Sequence, residues 1–256
     1  MEQLLEMTRR DGVAILTLSS PPVNALNKAM IRTLHAALDS VDRADDVSVV
    51  HFRSALKVFC AGADLAEMRA NLANPTCVDA QIDAVRDLQA VLRRIESLPM
   101  ATVAEVGGAA MGGGLELALA CDFRVAASEA KLALPEVGLG LIPGAGGTQR
   151  LTTLCGPAIA KRLILGAEVM DGAAAAALGV VHWAVPRADL ASFTSALVDR
   201  LKKLPRAAIA AAKTCISAQL DPSRDGYEEE LEATRNLLLN EPDTRSRLDA
   251  FLARDR

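Results

Sequence analysis

The chain has 256 residues, of which 51% are hydrophobic and 23% charged, a composition typical of a globular protein with a sizeable core. Its formal net charge of −4 and its lack of a basic run argue against a nucleic-acid partner, because phosphate binding depends on clustered Lys and Arg. No apolar stretch reaches the ~20 residues that a membrane-spanning helix needs, so no membrane partner is expected.

The first hundred residues alternate between strand and helix patterns. Residues 12–18 and 47–52 are short β-branched runs bounded by turn signals, which predict two strands. Between them, apolar residues recur at helical spacing behind Asn27, which predicts a capped helix over residues 27–43. The same spacing predicts a second helix over residues 79–97.

The rest of the chain continues this alternation and then becomes helical. Strands are predicted over residues 101–106, 122–126 and 181–185, and a helix over residues 113–120. From about Ala188 the pattern is almost entirely helical. Breaks in this helical part are expected at Pro205, Asp221-Pro222 and Pro242.

The N-terminus and the cysteines indicate the compartment. Residues 1–6 are acidic and lack the basic, apolar and small-residue order of a secretory signal, so a cytoplasmic location is expected. The cysteines are odd in number and form no CxxC pair; they are Cys60, Cys77, Cys121, Cys155 and Cys215. Free thiols are therefore expected rather than disulfides or a zinc site.

Four glycine-containing turns are candidates for binding, at residues 59–64, 107–114, 134–138 and 142–148. None matches the dinucleotide pattern G-x-G-x-x-G, and none ends in Gly-Lys-Ser/Thr as a nucleotide P-loop does. In the first turn, small residues leave the amide of Ala63 open. In the second turn, Gly113 begins a helix and points its N–H outward. Two such amides, brought together, would form an oxyanion hole.

Glu116 and Glu136 stand beside two of these turns, twenty positions apart. A glycine triplet alone more often serves packing, and a lone Glu in a first helical turn is usually solvated. However, Glu116 is followed by the apolar residues 117–121, which predict a buried helix. A carboxylate entering a buried helix is costly unless it is used or paired. The two glutamates therefore indicate an acid/base site.

Four segments, in chain order, carry a resemblance to a known family. They are Pro-Pro-Val-Asn-Ala-Leu-Asn at residues 21–27, Phe-Cys-Ala-Gly-Ala-Asp-Leu at 59–65, Ala-Met-Gly-Gly-Gly-Leu-Glu-Leu-Ala at 110–118, and residues 135–150 with Pro135-Glu136 and Ile142-Pro143-Gly144-Ala145-Gly146-Gly147-Thr148-Gln149-Arg150. Together they resemble the enoyl-CoA hydratase/isomerase family, also called the crotonase superfamily, and the resemblance is closest to enoyl-CoA hydratase.

The resemblance implies an α/β fold with a crotonase-like spiral core of repeated β-β-α turns. Its two sheets are expected to be roughly perpendicular. On this basis residues 1–187 form the core with the acyl-CoA site, and residues 188–256 form a helical C-terminal region that helps in trimerisation. A homotrimer or a dimer of trimers is the expected assembly.

The resemblance also implies the site residues. By position, the amides of Ala63 and Gly113 hold the oxygen of an acyl-CoA thioester, and Glu116 and Glu136 are the two catalytic carboxylates. Further contacts with substrate or CoA are expected at eight positions, which are Ala25, Leu26, Lys57, Ala61, Asp64, Leu65, Pro135 and Gly144.

The implied activity is that of an enoyl-CoA hydratase, a lyase that adds water to a 2-enoyl-CoA. Glu116 is assigned to activating the water and Glu136 to protonating C2. Retention of both glutamates favours a hydratase over an isomerase, which can work with one acid/base group. An isomerase or other acyl-CoA-enolate chemistry stays an alternative, and an RNA-binding or scaffold homologue is the least favoured one. No metal or redox cofactor is expected, because coenzyme A is part of the substrate.

Overall fold

A computed structural model of the protein describes residues 4–72 and 78–253. The expectations for residues 1–3 and for Cys77 lie outside the described residues. The strands are β1 (Leu5–Arg10), β2 (Val13–Leu18), β3 (Val49–Ser54), β4 (Ala101–Val106), β5 (Ala110–Met111), β6 (Phe123–Ala127), β7 (Lys131–Ala133), β8 (Met170–Asp171) and β9 (Trp183–Val185). The helices are α1 (Lys28–Asp42), α2 (Leu65–Leu72), α3 (Val78–Ser97), α4 (Gly113–Leu119), α5 (Gly147–Leu165), α6 (Gly172–Ala177), α7 (Arg187–Leu201), α8 (Arg206–Ala218), α9 (Gly226–Asn240) and α10 (Pro242–Leu252).

The larger sheet has six strands in the order β1-β2-β3-β4-β6-β9. Strand β1 is antiparallel to β2, and the remaining pairs are parallel. Strand β2 is buried on both faces, with Ala14, Leu16 and Leu18 fully covered on one face and Val13 and Thr17 buried on the other. Such two-sided burial is typical of parallel strands that have helices on their faces.

The smaller sheet has the order β5-β7-β8. Two isolated bridges, Leu26 with Ala63 and Cys60 with Ala110, connect earlier turns of the chain to one another and to β5. Strands β4 and β6 of the larger sheet are thus each followed by a short strand of the smaller one, β5 and β7. The expected α/β fold of repeated β-β-α turns is confirmed.

The predicted helices that flank the sheets are confirmed. Asn27 caps α1, since its side-chain oxygen accepts a hydrogen bond from the N–H of Met30 at 2.9 Å. Helix α1 buries its apolar stripe, including Leu34 and Leu38, and α3 does the same with Leu88, Val91, Leu92 and Ile95. Helices α1 and α3 pack against each other and form one wall of the region where the glycine turns meet.

The C-terminal part is helical, with breaks close to the three expected positions. Helix α7 packs against β3, β4 and β6, whereas α9 and α10 bury none of their side chains. Helix α8 is attached to the core by Lys213, whose Nζ lies 2.7 Å from the carboxylate of Asp122. Within the described ranges, no helix is both long enough and apolar enough to cross a membrane.

Candidate active site

Two glycine turns from different parts of the chain meet at the centre of the site. Gly62 has a φ of +91°, and a Cβ on it would lie 2.6 Å from the carbonyl oxygen of Met111 and 3.0 Å from the amide nitrogen of Gly113. Only glycine permits this conformation and this approach. A Cβ on Gly113 would in turn lie 3.6 Å from the amide nitrogen of Ala63. The structure therefore brings the predicted amides of Ala63 and Gly113 together.

Both amides are free to bind a ligand. Gly113 is the first residue of α4, so its N–H has no acceptor within the helix. Ala63 is held by a bridge in which the N–H of Leu26 donates to the carbonyl of Gly62. Across the described part of the chain, the amides of Ala63 and Gly113 donate no backbone hydrogen bond. Two adjacent N–H donors can stabilise one negatively charged oxygen.

Glu116 is the buried carboxylate of the site. It lies in the first turn of α4, a helix whose residues are all buried, and it is 2% exposed. Its Oε1 accepts hydrogen bonds from the backbone N–H groups of Ala145 (2.8 Å) and Gly147 (2.7 Å). A Cβ on Gly147 would lie 2.9 Å from this oxygen, so glycine allows the close approach. Both bonds end on Oε1, which leaves Oε2 available to a ligand.

The pKa of Glu116 reflects opposing influences. It is raised from 4.5 to about 7, mainly because burial disfavours the charged form, and the charge of Glu136 also raises it. The hydrogen bonds from Gly147 and Ala145 and the charge of Arg150 act in the opposite direction. A carboxyl group that titrates near neutral pH can both accept and release a proton there.

Glu136 is the second carboxylate, and its surroundings differ. It follows Pro135 and begins a one-turn 3-10 helix, Glu136–Leu139. Its Oε1 lies close to Gly112, where a Cβ would be 2.8 Å away. Its Oε2 is buried and has no hydrogen-bond partner among the described residues. A buried polar atom without a partner is costly, so this oxygen marks a position where a ligand would gain a hydrogen bond.

Burial also raises the pKa of Glu136, although its own backbone N–H partly offsets the effect. Since its charge contributes to the raised pKa of Glu116, the two groups titrate as a coupled pair. The site therefore combines two free N–H donors with two carboxyl groups of raised pKa, which is a set suited to proton transfer beside a developing oxyanion.

A small cavity of about 60 Å³ opens beside the amide of Ala63. Its wall includes Ile31 of α1, Met68 of α2, and Val85 and Leu88 of α3, so it is mostly apolar. No cluster of three or more His, Cys, Asp or Glu side chains within residues 4–72 and 78–253 is arranged to hold a metal ion.

The predicted contact residues are distributed unevenly around this cavity. Leu26 and Asp64 belong to its wall together with Ala63. The carboxylate of Asp64 also caps α2, because it accepts hydrogen bonds from the N–H groups of Ala66 and Glu67, both at 3.0 Å.

The remaining contact residues lie farther along the same turns. Lys57 is exposed, and its backbone packs closely on Gly108. Ala25, Ala61 and Leu65 flank the turns that carry Leu26 and Ala63, and Pro135 directly precedes Glu136. Gly144 lies against the side chain of Val85. Their contacts with a substrate stay predictions.

The sequence pattern missed the residues that hold Glu116 in place. The fourth glycine turn was recognised as a source of backbone donors, but its amides at Ala145 and Gly147 could not be assigned to a carboxylate. Glycines at 144, 146 and 147 were the available signal. Arg150, which contacts this turn, stands at the end of the fourth resembling segment, whereas Gln89, which also contacts it, gave no signal in the sequence.

Comparison with known proteins gives a consistent set of relatives. The sequence model of the family described as enoyl-CoA hydratase/isomerase matches residues 8–254. The chain is 36% identical over 242 residues to the "Probable enoyl-CoA hydratase 2, mitochondrial" of Arabidopsis thaliana, covering 94% of this chain and 79% of that protein. It is 46% identical over 159 residues to the mitochondrial methylglutaconyl-CoA hydratase of Homo sapiens, covering 62% of this chain and 45% of that protein.

Solved structures agree with the sequence relatives. The crystal structure of an enoyl-CoA hydratase from Bacillus anthracis matches with a TM-score of 0.90 at 32% identity, covering 98% of this chain and 97% of that one. This likeness extends over both sheets and the C-terminal helices.

Proposed function

The chain belongs to the enoyl-CoA hydratase/isomerase family, and we propose that it adds water across the 2,3-double bond of a 2-enoyl-CoA to give a 3-hydroxyacyl-CoA. The observation that carries the proposal is the pair Glu116 and Glu136, which are electrostatically coupled and lie beside the free amides of Ala63 and Gly113. A hydratase has two proton transfers to perform, one at the water and one at C2, and this site offers a carboxyl group for each.

The two amides are proposed to form the oxyanion hole. Adding water at C3 builds enolate character on the thioester oxygen, and the N–H groups of Ala63 and Gly113 would stabilise that charge most strongly in the transition state. Each donor of this kind contributes roughly 3–4 kcal/mol. Leu26 would position the substrate, because it lines the cavity beside Ala63.

The hydrogen bonds support different roles for the two glutamates. Glu116 accepts two N–H donors on Oε1, which favours its carboxylate form. The buried Oε2 of Glu136 accepts none, which favours its acid form. Burial raises the pKa of both groups, that of Glu116 to about 7, so the coupled pair can hold one proton between them near neutral pH. Glu116 would then take a proton from the water as it attacks C3, and Glu136 would deliver its proton to C2.

The remaining contacts are proposed by position in the family. Ala25, Leu26, Ala61, Asp64, Leu65, Pro135 and Gly144 would line the path of the acyl-CoA, and Lys57 is a candidate for its phosphates. The relatives named above include a methylglutaconyl-CoA hydratase, so a branched, carboxylated enoyl-CoA belongs in any substrate panel. Neither a metal nor a redox cofactor is required by the reaction as proposed.

Crotonyl-CoA tests the proposal directly. The protein should remove the absorbance of the conjugated enoyl thioester, and mass spectrometry should show a product heavier by one water. A matched incubation with a 3-enoyl-CoA separates the alternative, because an isomerase would create the conjugated absorbance without a change in mass. Isomerisation without hydration would contradict the proposal. Running 2-enoyl-CoAs of increasing length, and the methylglutaconyl thioester, then defines the acyl preference.

Assembly is a second part of the proposal. Helices α9 and α10 bury no side chain within the protomer but expose large apolar residues, among them Leu239 (75% exposed) and Phe251 (65%). Surfaces of this kind usually face a partner, which supports a homotrimer or a dimer of trimers. Light scattering on the purified protein should give three or six times the protomer mass, and a monomer would contradict it. The cytoplasmic location stays a prediction.

A further inference from the structure

The loop at residues 143–147, called the clamp loop below, holds Glu116 through two separate peptide groups. One peptide group joins Gly144 to Ala145, and the other joins Gly146 to Gly147. The N–H of each donates to Oε1 of Glu116, at 2.8 Å and 2.7 Å. The direction of both bonds depends on the orientation of the two peptide planes.

The carbonyl oxygen of each peptide group is itself a hydrogen-bond acceptor. The side-chain amide of Gln89, on α3, donates from Nε2 to the carbonyl of Gly144 at 2.7 Å. The backbone N–H of Arg150 donates to the carbonyl of Gly146 at 2.9 Å. A peptide group that accepts at its oxygen becomes a stronger donor at its nitrogen, because hydrogen bonds in series polarise one another. Both peptide groups that donate to Glu116 are therefore strengthened as donors by the hydrogen bond that each accepts at its carbonyl oxygen.

Gln89 supplies the side chain that donates to the Gly144–Ala145 peptide, and its own orientation is fixed. Arg93, one turn further along α3, donates from Nη2 to Oε1 of Gln89 at 3.2 Å, which identifies the end of the amide that carries the donor. Val85, one turn before Gln89, lies so near Gly144 that a Cβ there would be 3.3 Å from its Cγ1. The clamp loop thus lies against the side of α3 that carries Val85 and Gln89. The sequence pattern gave no indication that this side of the helix is next to the site.

We propose that Gln89 is a positioning residue, which orients and polarises the Gly144–Ala145 peptide so that its N–H stabilises the carboxylate form of Glu116. The proposal rests on the role of Glu116 as the group that activates water. Gln89 does not contact the reacting atoms; it acts through one peptide group. Arg93 supports it from the opposite end of its side-chain amide.

Other charged groups also act on Glu116. Glu136 approaches from the 3-10 turn and raises the pKa of Glu116, and Arg150 approaches from α5 and lowers it. The guanidinium of Arg150 is paired with Glu96 of α3 at 2.9 Å and also donates to the carbonyl of Ala145 at 2.9 Å. A change at Gln89 leaves the charges of Glu136, Arg150 and Glu96 in place. Its effect on the pKa of Glu116 can therefore be measured separately from theirs.

The test combines a titration with a rate profile for Gln89→Leu. The pKa of Glu116 is measured by carbon-13 NMR on protein labelled at glutamate carboxyls, with the Glu116 signal assigned from its loss in Glu116→Gln. Gln89→Leu should raise this pKa by about one unit, since a hydrogen bond to the charged form has been weakened. Because activity needs the carboxylate, kcat should fall about tenfold well below pH 7 and recover above pH 8, with little change in KM.

Three further variants make the result specific. Gln149→Leu is the matched control, because the amide of Gln149 bonds only to the neighbouring hydroxyl of Thr148 at 3.1 Å among the described residues; it should leave both readouts unchanged. Gln89→Asn keeps a neutral amide donor on a shorter side chain and should raise the pKa by less than Gln89→Leu does. Arg93→Leu should shift it in the same direction as Gln89→Leu by a smaller amount, and it provides the test if Gln89→Leu fails to fold.

The proposal is overturned if the pKa of Glu116 does not shift in Gln89→Leu. If Gln89→Leu does not fold, the same criterion applies to Arg93→Leu. A loss of kcat that is equal at every pH also overturns the proposal. The titration needs no substrate. If the wild-type protein did not hydrate enoyl-CoA, the proposed function would fail, while the titration would still decide whether Gln89 controls the proton affinity of Glu116.

Discussion

Glu116 and Glu136 are the same residue type, but the two regions that hold them differ in almost every respect. Glu116 belongs to a fully buried helix and receives two backbone hydrogen bonds. Glu136 belongs to a single 3-10 turn that buries none of its residues, and its Oε2 has no partner among the described residues. Burial raises the pKa of both groups. The difference teaches that two carboxyl groups of raised pKa can be held differently, since backbone donors stabilise the charged form of Glu116 while one oxygen of Glu136 keeps no partner.

The neighbouring residues extend this contrast. Around Glu116 the chain is closely packed, and the clamp loop leaves no room for a Cβ at Gly147. Around Glu136 several apolar side chains are exposed, including Leu139 (59%) and Ile142 (71%). One carboxylate is therefore held in a closely packed region, whereas the other stands next to exposed apolar side chains, which a substrate or a neighbouring subunit would cover.

Removing either carboxylate should produce the largest effect. Glu116→Gln and Glu136→Gln keep the size of the side chain but lose its proton chemistry, so each should lower kcat for crotonyl-CoA hydration by about 10²–10⁴-fold. CoA binding, measured by calorimetry, should change little. If either variant had a kcat near that of wild type, the corresponding glutamate would have no role in the proposed mechanism. The structural difference between the two glutamates would then have no catalytic meaning.

The stability of Glu116→Gln should depend on pH. Folding raises the pKa of Glu116 from 4.5 to about 7, so the fold favours the protonated form. That contribution is fully present below about pH 4.5 and is lost as the pH rises through about 7. The neutral glutamine avoids the loss, and the variant should be more stable than wild type by about 3 kcal/mol at pH 8.

Urea unfolding at pH 8 and at pH 4.5 measures this difference. The advantage of Glu116→Gln should shrink toward zero at the lower pH. The half-buried Glu136→Gln should show a smaller gain. A gain that is equal at both pH values would mean that ionisation of Glu116 is not its cause.

Of the three predicted effects, the smallest should come from alanine at the two glycines next to the carboxylates, Gly147 and Gly112. A Cβ at Gly147 would press on Oε1 of Glu116, and one at Gly112 on Oε1 of Glu136. Each substitution should lower kcat about tenfold by displacing one carboxylate. Gly138→Ala is the matched control, since a Cβ there meets no described atom within 4 Å; equal losses in all three variants would contradict a local effect.

Much of the fold was predictable from the sequence. Helices α1 and α3 have regular apolar stripes with clear ends, and β2, β3 and β4 are β-branched runs between turn signals. The spacing of their apolar residues was therefore sufficient to predict these elements. Strand β1 was missed because most of its residues are exposed and no apolar alternation marks it. Strands β5 and β8 have two residues each, which is too short for any period. Helix α6 is almost entirely alanine and has no stripe.

The site was predictable in its parts but not in its connections. Glycine turns and two glutamates indicated amide donors and acid/base groups, and the structure brings Ala63 next to Gly113. The bonds from Ala145 and Gly147 to Glu116 could not be predicted, because backbone donors have no residue-type signature. The contact of Gln89 with Gly144 joins residues 55 positions apart, and only the packing of α3 on the clamp loop creates it.

Hydrogen exchange at C2 of a saturated acyl-CoA tests the division between the two glutamates most directly, because it needs the C2 proton transfer but no attack by water. Butyryl-CoA is incubated with each protein in deuterated water, and the deuterium at C2 is followed by NMR. The account predicts exchange with wild type and with Glu116→Gln, and its loss with Glu136→Gln. Exchange that survives in Glu136→Gln but disappears in Glu116→Gln would contradict it.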